Sequence, residues 1–223
     1  MASVLSAHGF CHGVELGRRG QWSVTLGSAT QAVFPVKLCI ADPPYLGRAS
    51  EWYGERGKTT VARNKGVSYR PADFHGDAEV WDKLETHIGL VNNLIENYDG
   101  WAIAMAHDNL RDYLPAIDRK LPIRIGIWVK QPLPGAARVI NSYEPVLLRI
   151  PEGRRSSIGK QGLNTKDAVS IARQSVGFTG AKPPAWTRWV LDMLGYNQET
   201  DTVDDLFEGS GAVAKELAQG VLL

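Results

Sequence analysis

The sequence predicts an α/β protein built on a mostly parallel sheet, and three observations carry that expectation. Val36–Ala41 (VKLCIA) and Trp101–Ala106 (WAIAMA) are nearly continuous apolar runs of strand length, as strands buried on both faces require. Between them Val80, Leu84, Ile88, Val91, Leu94 and Ile95 recur at helical spacing. Toward the C-terminus, Thr202–Phe207 reads as a strand that turns through Glu208-Gly209-Ser210-Gly211 into an Ala-rich helix. Strands that alternate with helices form parallel sheets covered by their own crossovers. The 223 residues, 43% of them hydrophobic, suit one domain spanning 1–223.

Taken in order, residues 22–26 (WSVTL) predict a short strand stopped by Gly27. Val36–Ala41 runs directly into Asp42-Pro43-Pro44-Tyr45, where two successive prolines cannot donate ladder hydrogen bonds and the strand must end. Residues 46–76 are rich in Gly, Arg, Lys and aromatics, show no clean period, and predict a long excursion. A helix is expected over Glu79–Asn97, ended by Asp99-Gly100, and a second over Asn109–Arg119. Ile123–Val129 and Pro145–Ile150 predict strands on either side of a Pro/Gly-rich connection. Residues 151–176 form a second excursion, with a short helix expected from Lys166 to Gln174. Pro184–Leu194 carries Trp186, Trp189, Val190, Met193 and Leu194 on one side and is stopped by Gly195.

Net charge is only +1, so no global field draws the chain to nucleic acid or membrane, but the charge is unevenly distributed. Arg48, Arg56, Lys58, Arg63, Lys65 and Arg70 stand against Glu51 and Glu55. Arg149, Arg154, Arg155, Lys160, Lys166 and Arg173 stand against Glu152 and Asp167. These basic insertions, at about 46–76 and 151–176, are either solvated loops or two walls of a phosphate-binding groove. No apolar stretch reaches the ~20 residues a membrane span needs, and the N-terminus lacks a secretory pattern. Cys11 and Cys39 offer at most one disulfide, and Cys39 lies in an apolar run, so a reduced cytoplasm is expected. His8, Cys11 and His12 lack an evident fourth ligand, and no metal is expected.

Two motifs carry chemistry. The C-terminal edge of a parallel sheet is where α/β proteins bind ligands, and Asp42-Pro43-Pro44-Tyr45 is expected there. An amino group on an aromatic base is a poor nucleophile because its lone pair is delocalised into the ring. A carboxylate (Asp42) and a carbonyl (Pro43), each accepting one of its N–H bonds, would draw the nitrogen toward tetrahedral geometry. Tyr45 would offer a flat face to an unstacked base. The second motif is the strand, glycine turn and helix over Asp204–Val213, a cradle for a nucleotide-like ligand. It lacks the three spaced glycines of the dinucleotide fingerprint, which disfavours NAD. Gly57-Lys58-Thr59 is not a P-loop, because Trp52 stands where that motif needs glycine.

In this order the residues resemble the amino-methyltransferases of nucleic acids, specifically the beta group, in a small phage or actinobacterial version. Leu26-Gly27-Ser28-Ala29 and Val36–Tyr45 look like the family's lead-in and catalytic motif. Trp128-Val129-Lys130 and Tyr143-Glu144-Pro145-Val146-Leu147 look like its strand pair near the target base. Phe178-Thr179-Gly180-Ala181-Lys182-Pro183 resembles its cofactor-side motif. The resemblance implies a Rossmann-like class I methyltransferase sheet with helices on both faces, S-adenosylmethionine as cofactor and DNA as partner. It implies that Asp205, Phe207, Gly209 and Gly211 hold the cofactor, that Thr179, Lys182 and Pro183 flank its methionine end, and that Asp42, Pro43, Pro44 and Tyr45 hold the base. Arg48, Trp52, Arg56, Lys58, Arg154, Arg155 and Lys160 are the candidate nucleic-acid contacts.

The expected reaction is methyl transfer to N6 of adenine. The same site chemistry serves N4 of cytosine, and the rival from another class is a non-catalytic nucleic-acid-binding module on a degenerate methyltransferase scaffold. In the family a further strand after the cofactor helix ends in an acid that binds the ribose, and here Gly13-Val14-Glu15-Leu16 is the candidate substitute. The short recognition region implies low sequence selectivity or a homodimer that shares the work.

Overall fold

The structure is a computed structural model that describes residues 34–54, 77–130, 138–156, 164–173, 180–209 and 211–219. All of them belong to the compact unit Phe34–Leu223. The expected strand at 22–26 and the segment Gly13–Leu16 lie outside the described residues, as do His8, Cys11 and His12.

The chain enters on β1 (Lys37–Ala41), leaves it through the two prolines and forms a short helix, α1 (Ala49–Tyr53). A 3-10 turn at Ala78–Asp82 precedes α2 (Leu84–Asn97). Strand β2 (Gly100–Ala104) follows, then α3 (Leu110–Tyr113). Next come β3 (Arg124–Val129), β4 (Tyr143–Arg149) and β5 (Ala168–Ser170). Helix α4 (Pro184–Leu194), β6 (Thr202–Asp205) and α5 (Ala212–Gln219) complete the unit.

Among the described residues six strands form one sheet in the order β5-β3-β4-β2-β1-β6. β1 lies parallel to β2 and β6, β3 lies parallel to β5, and β4 runs antiparallel to β2 and β3. Five strands therefore point one way. Reversed β4 begins, at Tyr143 and Glu144, on the edge where the other five end.

Alternation along the buried strands divides the core into two layers. Leu38 and Ile40 of β1, with Ala102 and Ala104 of β2, face α4 and its Trp186, Val190 and Leu194. Cys39 and Ala41, with Trp101 and Ile103, face α2 through Val91 and Leu94. Helices thus cover both faces, as expected. Burial, with the charge of Asp204 as a lesser cause, pushes the Cys39 thiol up to about 12, which marks it as a core residue. Helix α4 approaches β3 closely. A Cβ on Gly126 would stand 3.0 Å from the Trp189 ring, so that position holds glycine. No helix among the described residues is long and apolar enough to cross a membrane.

Three expectations change. The helix expected over Glu79–Asn97 breaks at Lys83, which is extended. The carboxylate of Asp82 instead receives the amides of Ala49 and Ser50, at 2.8 and 3.0 Å, and so caps α1 from a distance. The helix expected over Asn109–Arg119 is a chain of short turns, with Pro115 inside the 3-10 turn Leu114–Ala116. The helix expected at Lys166–Gln174 is instead strand β5, and it reaches Trp128 on β3 through the indole N–H donated to the Ile171 carbonyl at 2.9 Å.

The opposite, N-terminal edge of the sheet is clamped by one carboxylate. Asp201, its side chain fully buried, accepts the amides of Val36 (3.2 Å) and Asn197 (2.7 Å) and pairs with Arg154. Arg154 also donates to the Gly195 carbonyl at 2.6 Å. Burial works against the Asp201 carboxylate, but the Arg154 hydrogen bonds outweigh it and hold the carboxyl below its usual range. Asp201→Ala should therefore lower the unfolding free energy by about 3–5 kcal/mol in urea titrations at neutral pH. A depressed folded pKa stabilises above the unfolded value of about 3.9, and that contribution fades as pH falls through the folded value. The difference between variant and wild type should accordingly shrink at pH ~3. Equal midpoints at neutral pH would contradict the clamp.

Candidate active site

Parallel pairing of β1 with β6 sets Ile40 opposite Asp205, and the Leu206 amide donates to the Ile40 carbonyl at 3.2 Å. The tip carrying Asp42 and the tip carrying Asp205 are therefore neighbours. A cavity of about 450 Å³ opens at this edge. Ile40, Asp42, Pro44 and Tyr53 line one side, Asp205 to Gly209 another, and Gly180, Ala181, Lys182, Trp186 and Thr187 a third. Its volume falls in the range of small-molecule sites, about 300–1,000 Å³.

The glycine turn is shaped for close approach. Gly209 and Gly211 adopt φ of +44° and +68°, in the left-handed region that favours glycine. A Cβ on Gly211 would meet nothing within 4 Å, so the space beside it is open. The Phe207 ring is fixed edge-on by Trp81, 5.0 Å between centroids, and its amide donates to Asp205 at 3.1 Å. Burial raises the Asp205 carboxyl. Two further lining groups, the indole N–H of Trp186 and the hydroxyl of Thr187, are buried without a hydrogen-bond partner among the described residues. Both atoms are sealed from solvent, so each is a local cost to the fold at the base of the cavity.

Asp42 is the hub of a charged network. The Lys182 ammonium donates to both of its carboxylate oxygens, at 2.7 and 2.8 Å, and to the Tyr45 hydroxyl at 3.1 Å. The Tyr45 hydroxyl in turn donates to Glu144 at 2.9 Å. Glu144 also pairs with Lys130 and lies 3.8 Å from Lys182. Burial raises the Asp42 carboxyl, and the attraction of Lys182 offsets this only in part. For Lys182, burial works against the charge, yet Asp42 and Glu144 outweigh it and the ammonium is held above its usual range. Glu144 is likewise penalised by burial, and Lys182 and Lys130 bring it below the usual range. Burial also pushes the Tyr45 phenol up, so it stays a donor.

The expected site residues divide accordingly. Asp42, Pro44, Asp205, Phe207, Gly209 and Lys182 line one cavity. Lys182 differs from expectation in its partner, because its ammonium sits on Asp42. Tyr45 is buried, with Lys182 5.4 Å from the ring centroid and Trp52 6.3 Å away, and it does not line the cavity; the tyrosine that does is Tyr53. Pro183 is the N-cap of α4, its carbonyl accepting the Trp186 amide at 2.8 Å. Arg48 is paired with Asp108 at 3.1 Å. Arg154, a candidate nucleic-acid contact, has its guanidinium paired with Asp201 at the edge opposite the cavity. Arg155 shares that edge, donating to the Ile150 carbonyl at 3.3 Å. Thr179, Arg56, Lys58 and Lys160 lie outside the described residues. The sequence placed the segments of Lys130 and Glu144 near the base without giving either residue a role. A lone carboxylate after Tyr143 has no spacing that marks it.

No family model matches the sequence, and no curated protein sequence matches it. The chain is similar to solved structures. The PvuII DNA methyltransferase, described as cytosine-N4-specific, aligns at TM-score 0.52 and 14% identity, over 83% of this chain and 73% of that one. A crystal structure of an M1.HpyAVI–SAM complex aligns at TM-score 0.49 and 15% identity, over 83% and 79%. With the mixed sheet and its helices on both faces, the likeness to the PvuII enzyme defines the fold as that of Rossmann-like class I methyltransferases.

Tyr45→Phe removes one partner from Glu144 and one from Lys182. It should cost about 1–3 kcal/mol in urea unfolding, as hydrogen bonds to charged groups do. An unchanged unfolding free energy would contradict the network.

Proposed function

We propose that this chain is an S-adenosylmethionine-dependent methyltransferase that modifies the exocyclic amino group of adenine, at N6, in DNA. One observation carries the reading. The Asp42 tip and the Asp205–Gly209 turn, far apart in sequence, border a single cavity on adjacent parallel strands. The residues suit the cofactor, with Asp205, Phe207 and Gly209 lining the cavity and open space beside Gly211. When bound, S-adenosylmethionine supplies an electrophilic methyl group on sulfonium.

The chain's own residues do the rest. Asp42 and the Pro43 carbonyl accept the two N–H bonds of the base and make its lone pair available. After transfer the nitrogen carries one proton too many. Asp42, a carboxylate with a raised pKa, is suited to receive it. Positioning supplies most of the acceleration, since no covalent intermediate is needed. Asp, rather than Asn, before the prolines supports a base over an amide substrate. The described residues support the base pocket more than the phosphate grip, because Arg48 and Arg154 are already paired.

DNA from cells expressing the chain, digested to nucleosides and weighed, should contain N6-methyladenine. Asp42→Ala should abolish it while calorimetry still detects cofactor binding. Methylated cytosine would overturn the choice of base. Turnover by Asp42→Ala would overturn the mechanism, and no cofactor binding by the wild type would leave a nucleic-acid-binding module.

A further inference from the structure

We propose that Lys182 is a positioning residue for Asp42, holding its carboxylate ionised and aimed, and releasing one oxygen when the amino group of the base arrives. The proposal rests on the reading of Asp42 as the acceptor of that amino group.

The ammonium touches both oxygens of Asp42 and the Tyr45 hydroxyl, all within 3.1 Å. Glu144 stands 3.8 Å away, and the rings of Tyr45 and Trp186 lie 5.4 and 5.6 Å from the nitrogen. Lys182 therefore keeps partners when it gives up one carboxylate oxygen, and the lysine need not leave the site for the base to bind.

The groups that face Asp42 come from several elements: Glu144 from β4, Lys130 just beyond β3, Asp205 from β6, Tyr53 from α1, and Tyr45 from its own turn. Two ammonium groups balance Asp42 and Glu144. Lys130 is taken up by Glu144. Without Lys182, Asp42 would be a carboxylate at a largely enclosed edge, facing Glu144 and Asp205 with no cation of its own. Burial already drives its carboxyl upward, and the loss of Lys182 removes the main opposing influence. Asp42 would then keep its proton to a higher pH than in the wild type. A neutral carboxyl is a weaker acceptor and offers its own O–H to the base, so the amino group would lose its activation.

The test is a ¹³C-carboxyl NMR titration of Asp42, assigned by its absence in Asp42→Asn, in wild type, Lys182→Met and Lys182→Arg. The Asp42 pKa should rise by about 1–3 units in Lys182→Met and return toward the wild-type value in Lys182→Arg. The acid limb of methyl transfer should move up by the same amount, so that activity lost on the acid side returns as pH is raised. Lys182→Gln serves the same purpose if the methionine variant does not fold. An unshifted Asp42 titration, or a loss of activity independent of pH, would overturn the proposal. A wild-type chain that transfers no methyl group would overturn the functional reading beneath it, and the titration would still show separately whether Lys182 governs Asp42.

Discussion

The pairing of β1 with β6 is the constraint on which the rest depends. Parallel strands bring their C-terminal tips to one edge, and adjacent ones bring them within a strand spacing of each other. Here the two tips carry the Asp42 carboxylate and the turn from Asp205 to Gly209, which line one cavity. A different strand order with the same elements would leave two unrelated loops. The Asp201 clamp at the far edge fastens Val36, Asn197 and Arg154 to the starts of these same two strands.

The charged network at the working edge is a poor source of stability. Two ammonium and two carboxylate groups have been largely withdrawn from water, and their mutual attraction does little more than offset that desolvation. Apolar residues of similar volume would serve the fold as well. Their arrangement makes sense as control of ionisation, since each carboxylate lies against a lysine and the tyrosine hydroxyl links them. Among the described residues the same edge also buries donors on Trp186 and Thr187 without partners, a further local cost.

Much of the fold was legible because burial writes itself into strands as continuous apolar runs, as in β1 and β2, while β6 was marked by the glycine turn after it and α4 by its glycine stop. What failed was local structure decided by distant partners. The break at Lys83 reflects Asp82 serving α1 more than thirty positions upstream. Strand β5, expected as a helix, is three residues long and takes its form from hydrogen bonds to β3. Of the site, Asp42 and the glycine turn were visible as motifs at a strand end. Glu144 and Lys130 were not, because a single charged residue signals nothing until a reversed strand carries it to the same edge. Arg154 shows the converse. Its charge suggested phosphate, but its partner Asp201 could be found only in three dimensions.

The claim that both tips build one ligand site is tested most directly by hydrogen exchange with and without S-adenosylmethionine. Occupation of the shared cavity should slow exchange together in residues 40–46, 180–187 and 205–213, and leave α2 unchanged. Protection confined to the glycine turn, or absent from all three segments, would contradict it.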